Sequence, residues 1–148
     1  MYLILLLSLL QILPAPKHLA IAATASAPTA APGSKVSLFV DVTPNPGIHV
    51  YAPGAKDYLP IGVTIDPHPG VTVGAVKYPK SDTMVFDGER VPVYQKAFRL
   101  VDEVSLASSL KTTDTMTLTG TVKYQACDDH VCYFPASVPV SWSIKLRK

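Results

Sequence analysis

The chain has 148 residues, enough for one domain with a sizeable core. Hydrophobic residues make up 48% and charged residues 16%, which excludes a disordered chain, and 14 prolines against 8 glycines point to many short elements joined by stiff turns, an all-β composition. The formal net charge is only +2 and the basic residues are scattered, so the sequence carries no electrostatic footprint for nucleic acid.

The first element is an apolar run from Tyr2 to Leu13 closed by Pro14. It is too short to span a bilayer as a stable helix and has the length of a signal peptide's apolar region. Small-residue cleavage patterns follow at Ala20-Ile21-Ala22 and Ala23-Thr24-Ala25, although no Lys or Arg precedes the run. The expectation is an exported chain, with residues 1–22 as signal peptide and 23–148 as the mature domain. A competing reading takes His18 to Ala25, where Leu19, Ile21, Ala23 and Ala25 alternate, as the first strand and places the cut near Ala15. No cysteine near the leader offers a site for a lipid anchor. The mature protein is therefore expected to be free of the membrane, in the periplasm or another extracytoplasmic space.

From Lys35 onwards the hydrophobic period is two, and no window shows the 3.6-residue repeat of an amphipathic helix. "KVSLFVDVT" sets Val36, Leu38, Val40 and Val42 on one face, and "PNPG" then turns the chain. "IHVY" is extended, "APGAKDYLP" a loop, "IGVTID" a short strand and "PHPG" a turn. "VTVGAVKYP" is a strand with Val71, Val73 and Ala75 on one side. Asp87-Gly88 separates two β-prone runs and marks a hairpin. "SLASSLKTTD" offers a weak helical turn at most. "TMTLTGTVKYQAC" and "VPVSWSIKL" alternate cleanly, with Met116, Leu118, Val122 and Tyr124 in the first and Val138, Val140, Trp142, Ile144 and Leu146 in the second facing inwards. Seven or eight short strands with turn signals every eight to twelve residues predict an immunoglobulin-like antiparallel β-sandwich. The Ala/Pro-rich "ASAPTAAPG" reads as a loop.

The only two cysteines, Cys127 and Cys132, lie in "YQACDDHVCYFP". Cys127 ends a strand and "DDHV" is a four-residue hairpin loop, so the two sulfurs are cross-strand neighbours with a Cα separation of roughly 4.5–5.5 Å, within reach of a disulfide. An exported protein sits where such bonds persist. Three roles compete. As a passive staple the bond closes a loop of about six residues and gains only about 2 kcal/mol, against about 4.7 kcal/mol for a hundred-residue loop. As a metal clip, Cys127, Cys132 and His130 would need a fourth ligand such as His49 or His68, and the second ligand cluster of a zinc site is missing. As an exchanging disulfide it needs accessible sulfur. Cys127 continues the odd-numbered, solvent-facing series Thr117 to Gln125, which points its sulfur outwards. Asp128 and Asp129 disfavour a thiolate, protonated His130 favours one, and a nearby carboxylate, Asp128 or Asp129, is suited to taking a proton from the thiol. No cofactor or metal is assigned.

"GTVKYQACDDHVCYFPASVPVSW", with "GIHVYAPG" upstream and "VPVYQKAFRL" between, resembles the N-terminal periplasmic domain of the thiol:disulfide interchange protein DsbD, over about Lys35 to Leu146. The resemblance implies an immunoglobulin-like sandwich whose two cysteines, here Cys127 and Cys132, receive electrons from a membrane thiol reductase and pass them to periplasmic thioredoxin-fold proteins. It also implies an aromatic cap over the disulfide, for which Phe86 in "VFDG" is the match; hairpin packing is its alternative role. Tyr124 and Tyr51 are further candidates to shield the sulfurs. The better-known members space their cysteines more widely, and Met84 and Val85 stand where acidic cap-loop residues are expected, leaving Asp129 or Asp87 as substitutes. The chain reads as a stand-alone domain, so its electron donor is expected to be a separate protein. The rival reading is a non-enzymatic immunoglobulin-like interaction module with a structural hairpin disulfide.

Overall fold

The structure, a computed structural model, describes residues 16–112 and 115–148. Most of the expected leader therefore lies outside the described residues, but its last part does not. Leu19–Ala25 form β1, which pairs antiparallel with β3, Lys35–Pro44, from Leu19↔Pro44 to Ala25↔Leu38. The strand of the competing reading is thus present, and residues 19–22, assigned above to the signal peptide, are its first half. The loop "ASAPTAAPG" contributes a two-residue strand, β2 (Thr29–Ala30).

The chain continues through β4 (His49–Tyr51), β5 (Gly62–Ile65), β6 (Val71–Val73), β7 (Asp82–Phe86), β8 (Glu89–Tyr94), β9 (Phe98–Leu106), β10 (Thr115–Tyr124), β11 (Ala126–Cys127) and β12 (Ala136–Leu146). They form three sheets, ordered β1-β3-β9-β6, β2-β12-β10-β5 and β11-β4-β8-β7. Every pairing is antiparallel except the short β2–β12 contact. The architecture is the all-β, immunoglobulin-like sandwich that the periodicity predicts. Among the described residues no helix is long and apolar enough to cross a membrane.

The core follows from the period of two. Val36, Leu38, Val40 and Val42 of β3 with Leu100 and Val104 of β9 meet Leu118 and Val122 of β10 and Trp142 and Ile144 of β12 in one buried cluster. Each such side chain stabilises the fold by about 1.5–3 kcal/mol on full burial. Trp142 donates its indole N–H to the Phe39 carbonyl at 3.0 Å, tying the two large sheets together. Gly120 lets β5 approach: a Cβ there would lie 2.5 Å from the Thr64 carbonyl oxygen. The Asp87-Gly88 turn appears as expected, with φ of 46° and 83°, the left-handed pair that matches hairpin twist.

Two readings change. β3 runs through Pro44 because that residue, at the end of the strand, faces Leu19 of the edge strand β1. The face expected from Val71, Val73 and Ala75 does not form: β6 ends at Val73, which is 39% exposed, and Ala75 is exposed as well, although the Gly74 N–H still reaches the Glu103 carbonyl of β9. A short edge strand has no partner sheet to impose alternation.

Candidate functional site

The strand that carries Cys127 changes sheets just before reaching it. β10 pairs with β12 as far as Tyr124↔Ala136, and after Gln125 the chain enters the third sheet, where β11 pairs with β4 as Ala126↔Val50 and Cys127↔His49. This switch breaks the alternation. Tyr124, Ala126 and Cys127 are all buried, and Cys127 is only 1% exposed, so its sulfur faces inwards and not outwards as parity predicts. Cys132, in contrast, is exposed. The two are joined as a disulfide.

Their Cα atoms are 4.0 Å apart, closer than expected. The bridge Cys127↔Cys132 is flanked by hydrogen bonds from Tyr133 N–H to the Ala126 carbonyl and from Asp128 N–H to the Val131 carbonyl, both 2.9 Å. That makes the cysteines a non-hydrogen-bonded antiparallel pair, the type with the shorter separation. The Asp128 carboxylate holds the loop: one oxygen accepts the N–H groups of His130 and Val131 at 2.7 and 2.8 Å, and the other accepts the Tyr133 hydroxyl at 2.7 Å. These bonds, led by Tyr133, hold the Asp128 carboxyl down at about 2, while the carboxylate in turn raises the Tyr133 phenol. Asp129 and His130 are exposed. Asp128 is therefore the structural carboxylate of the hairpin, a role that sequence reasoning did not give it.

Around Cys127 lies a small second cluster with Tyr51, Val91 and Val93 buried and Ala55, Tyr58, Met84 and Phe86 packed against it. The Tyr51 hydroxyl sits 3.3 Å from Cys127 Sγ and 3.4 Å from Cys132 Sγ. Neither disulfide sulfur carries a hydrogen, so the hydroxyl is the donor, its single hydrogen shared between the two sulfurs. Burial, with Tyr58 nearby, raises the Tyr51 phenol and keeps it protonated as a donor. Tyr58 stacks on Tyr51 with ring centroids 4.2 Å apart, and Phe86 lies 6.4 Å from Tyr58 and 5.5 Å from His49. Phe86 thus packs on the cysteine cluster from the β7–β8 hairpin. Tyr124 does not join it: it belongs to the main core, where its hydroxyl donates to the Lys17 carbonyl at 2.8 Å and accepts the Lys17 N–H at 3.0 Å.

Sequence reasoning missed Tyr58, whose loop position gives no periodic signal, and considered His49 only as a distant metal ligand. Among the described residues no three His, Cys, Asp or Glu side chains form a metal-binding group. His49 is instead buried, 2% exposed, directly opposite Cys127. Burial lowers its imidazole below the usual range, against opposing pulls from Asp129 and Asp128.

The family profile described as thiol:disulfide interchange protein DsbD, N-terminal, matches residues 17–141. No curated protein matches the chain. Among solved structures, the DsbD N-terminal domain of Neisseria meningitidis in its reduced form is similar at 18% identity and TM-score 0.56, covering 88% of each chain. The same domain in the complex between the DsbD and PilB N-terminal domains from Neisseria meningitidis gives 16% identity and TM-score 0.56, covering 88% of this chain and 87% of that one. The N-terminal periplasmic domain of ScsB from Proteus mirabilis gives 17% identity and TM-score 0.59, covering 84% of this chain and 47% of that one. With the profile spanning well over half its length, a cysteine pair joined across a hairpin and the matching sandwich, the chain belongs to the family of the N-terminal domain of the thiol:disulfide interchange protein DsbD.

Proposed function

We propose that this domain works outside the cytoplasm as a dithiol/disulfide relay, accepting electrons from a membrane thiol reductase and passing them to thioredoxin-fold proteins. The observation that carries the proposal is the asymmetry of the disulfide: Cys132 exposed, Cys127 buried beside a hydroxyl donor. A donor thiolate attacks Cys132 Sγ, the Cys127–Cys132 bond breaks, and Cys127 leaves as a thiolate hydrogen-bonded by Tyr51. The donor's second cysteine then attacks the donor sulfur of the mixed disulfide and releases Cys132, leaving the domain reduced. Phe86 and Tyr58 cover the buried sulfur while the exposed one is presented to partners. The complex of the Neisseria meningitidis DsbD and PilB N-terminal domains supports a protein as the exchange partner.

Export supplies the oxidising compartment. Because β1 begins at Leu19, the proposal places signal cleavage before Lys17, in keeping with the cut near Ala15. Trapping tests the relay. In Cys127→Ser the remaining Cys132 should form a stable mixed disulfide with a thioredoxin-fold partner's cysteine, seen by intact mass, whereas Cys132→Ser should trap far less. A folded Cys127→Ser protein that forms no adduct, together with a wild-type reduction potential below about −300 mV, would identify the bond as structural instead.

A further inference from the structure

The buried histidine opposite Cys127 has no place in the scheme above. His49 and Cys127 are Cα partners in the β4–β11 ladder, so their side chains leave the sheet on the same face as directly opposed neighbours. Its ring is edge-on to Tyr51 at 5.5 Å and tilted against Phe86 at 5.5 Å, so it shares the enclosure that holds the sulfur. Among the described residues nothing hydrogen-bonds its Nε2, although that atom is shut off from solvent. An unsatisfied buried nitrogen costs about 1–3 kcal/mol, an expense that a purely packing residue would avoid. We propose that His49 is the proton acceptor for Cys127 when the relay hands its electrons on.

This inference rests on the thiol-exchange reading and deepens it. Reduction of an acceptor starts with the Cys132 thiolate attacking the acceptor's disulfide: a Cys132–acceptor bond forms, the acceptor's S–S bond breaks, and one acceptor sulfur leaves as thiolate. To finish, Cys127 must attack Cys132 Sγ, reforming the internal disulfide and expelling the second acceptor sulfur with its electron pair. Apolar surroundings keep a buried cysteine as the thiol, which does not attack. Its proton therefore has to be taken inside the enclosure. Neutral His49, with Nε2 free, accepts it, and the imidazolium then releases it to solvent or to the departing acceptor thiolate. Met84 and Val85, which precede Phe86 in β7, offer no carboxylate for the task.

The groups facing His49 suit this cycle. Burial favours its neutral, proton-accepting form, while Asp128 and Asp129 on the hairpin stabilise the imidazolium once it forms. Tyr51 on its own strand is a hydroxyl donor to the sulfurs, and Phe86 from β7 is uncharged.

The test uses the full chain, reduced and mixed with oxidised glutathione. Acid-quenched mass spectrometry follows the Cys132–glutathione adduct and its conversion to the internal disulfide. In His49→Gln the adduct should accumulate, with resolution slowed about tenfold or more near pH 7 and the deficit shrinking as pH rises and the thiol ionises unaided. Resolution within about twofold of wild type across pH 6–9 would overturn the inference while leaving the relay intact. A wild-type protein that forms neither the adduct nor the internal disulfide would overturn both. Should His49→Gln fold poorly, the unaltered protein gives the answer through the His49 ring resonances. A Cys127 thiol donating to Nε2 stabilises the neutral ring, so the ring should titrate at lower pH in the reduced protein than in the oxidised one, and equal midpoints would refute the proposal.

Discussion

The hydroxyl of Tyr51 lies 3.3 Å from the sulfur of Cys127, a buried contact inside the small cluster around that cysteine. Its value appears when the disulfide opens, because a hydrogen bond to a charged group contributes about 1.5–3 kcal/mol, more than one to a neutral sulfur. Tyr51→Phe, which keeps the ring and its stacking on Tyr58, should therefore make the Cys127 thiolate harder to form, because the hydroxyl that stabilises it is gone. Thiolate absorbance at 240 nm in a Cys132→Ser background reads this directly. An unchanged titration would mean that the tyrosine only packs.

Phe86 separates a cap from a packing residue. The ring is half-buried and touches the cysteine cluster and His49. Phe86→Ala should cost about 1–3 kcal/mol of stability, less than the ~3–5 kcal/mol of a fully buried ring. If it shields the buried sulfur, its loss should open Cys127 Sγ to dithiothreitol as a second point of attack beside Cys132, and reduction of the native disulfide should quicken about twofold, since exchange depends on access. Lower stability with an unaltered reduction rate would assign Phe86 to packing alone.

The contrast between these residues and the strands shows where sequence is informative. Val36 to Val42, Met116 to Tyr124 and Val138 to Leu146 could be placed from their alternation because each strand stays in one sheet, and Asp87-Gly88 could be placed because its chemistry is local. Cys127 was misplaced because its orientation depends on which sheet the chain joins after Tyr124, a tertiary choice that the two-residue period does not encode. Tyr58 and His49 reach the disulfide from a loop and from a separate strand, and their positions rest on register across chain segments far apart in sequence.

The start of the folded domain is testable by truncation. Leu19 is buried in the core, and Lys17 exchanges two backbone hydrogen bonds with the Tyr124 hydroxyl. A chain beginning at Ala23 loses both, and the Leu19 side chain alone is worth about 1.5–3 kcal/mol. It should unfold at clearly lower urea than a chain beginning at Pro16, and under the proposed export the N-terminal peptide of the processed chain should include Leu19. Equal urea midpoints would show that the first half of β1 is dispensable.

Acid should loosen the cysteine hairpin through Asp128. Its carboxyl is held at about 2 in the folded protein, against an ordinary value of 3.8, by the Tyr133 hydroxyl and the N–H groups of Val131 and His130. The folded state thus binds the proton less readily than the unfolded one, and stability from this group is complete above about pH 4 and lost as pH falls from there through about 2. Amide exchange at His130 and Val131, corrected for intrinsic rates, should accelerate over that window, earlier than in the core strands, because the carboxylate is their acceptor. Asp128→Asn keeps one acceptor oxygen but removes the charge and the oxygen facing Tyr133. In that variant the pH dependence should vanish and the hairpin should exchange faster at neutral pH. Under the proposed relay the same loop sets Cys132 before an incoming thiolate, so Asp128→Asn should also slow mixed-disulfide formation at Cys132. A variant whose hairpin loosens while adduct formation keeps its rate would show that the ordered turn is not what presents the exposed sulfur.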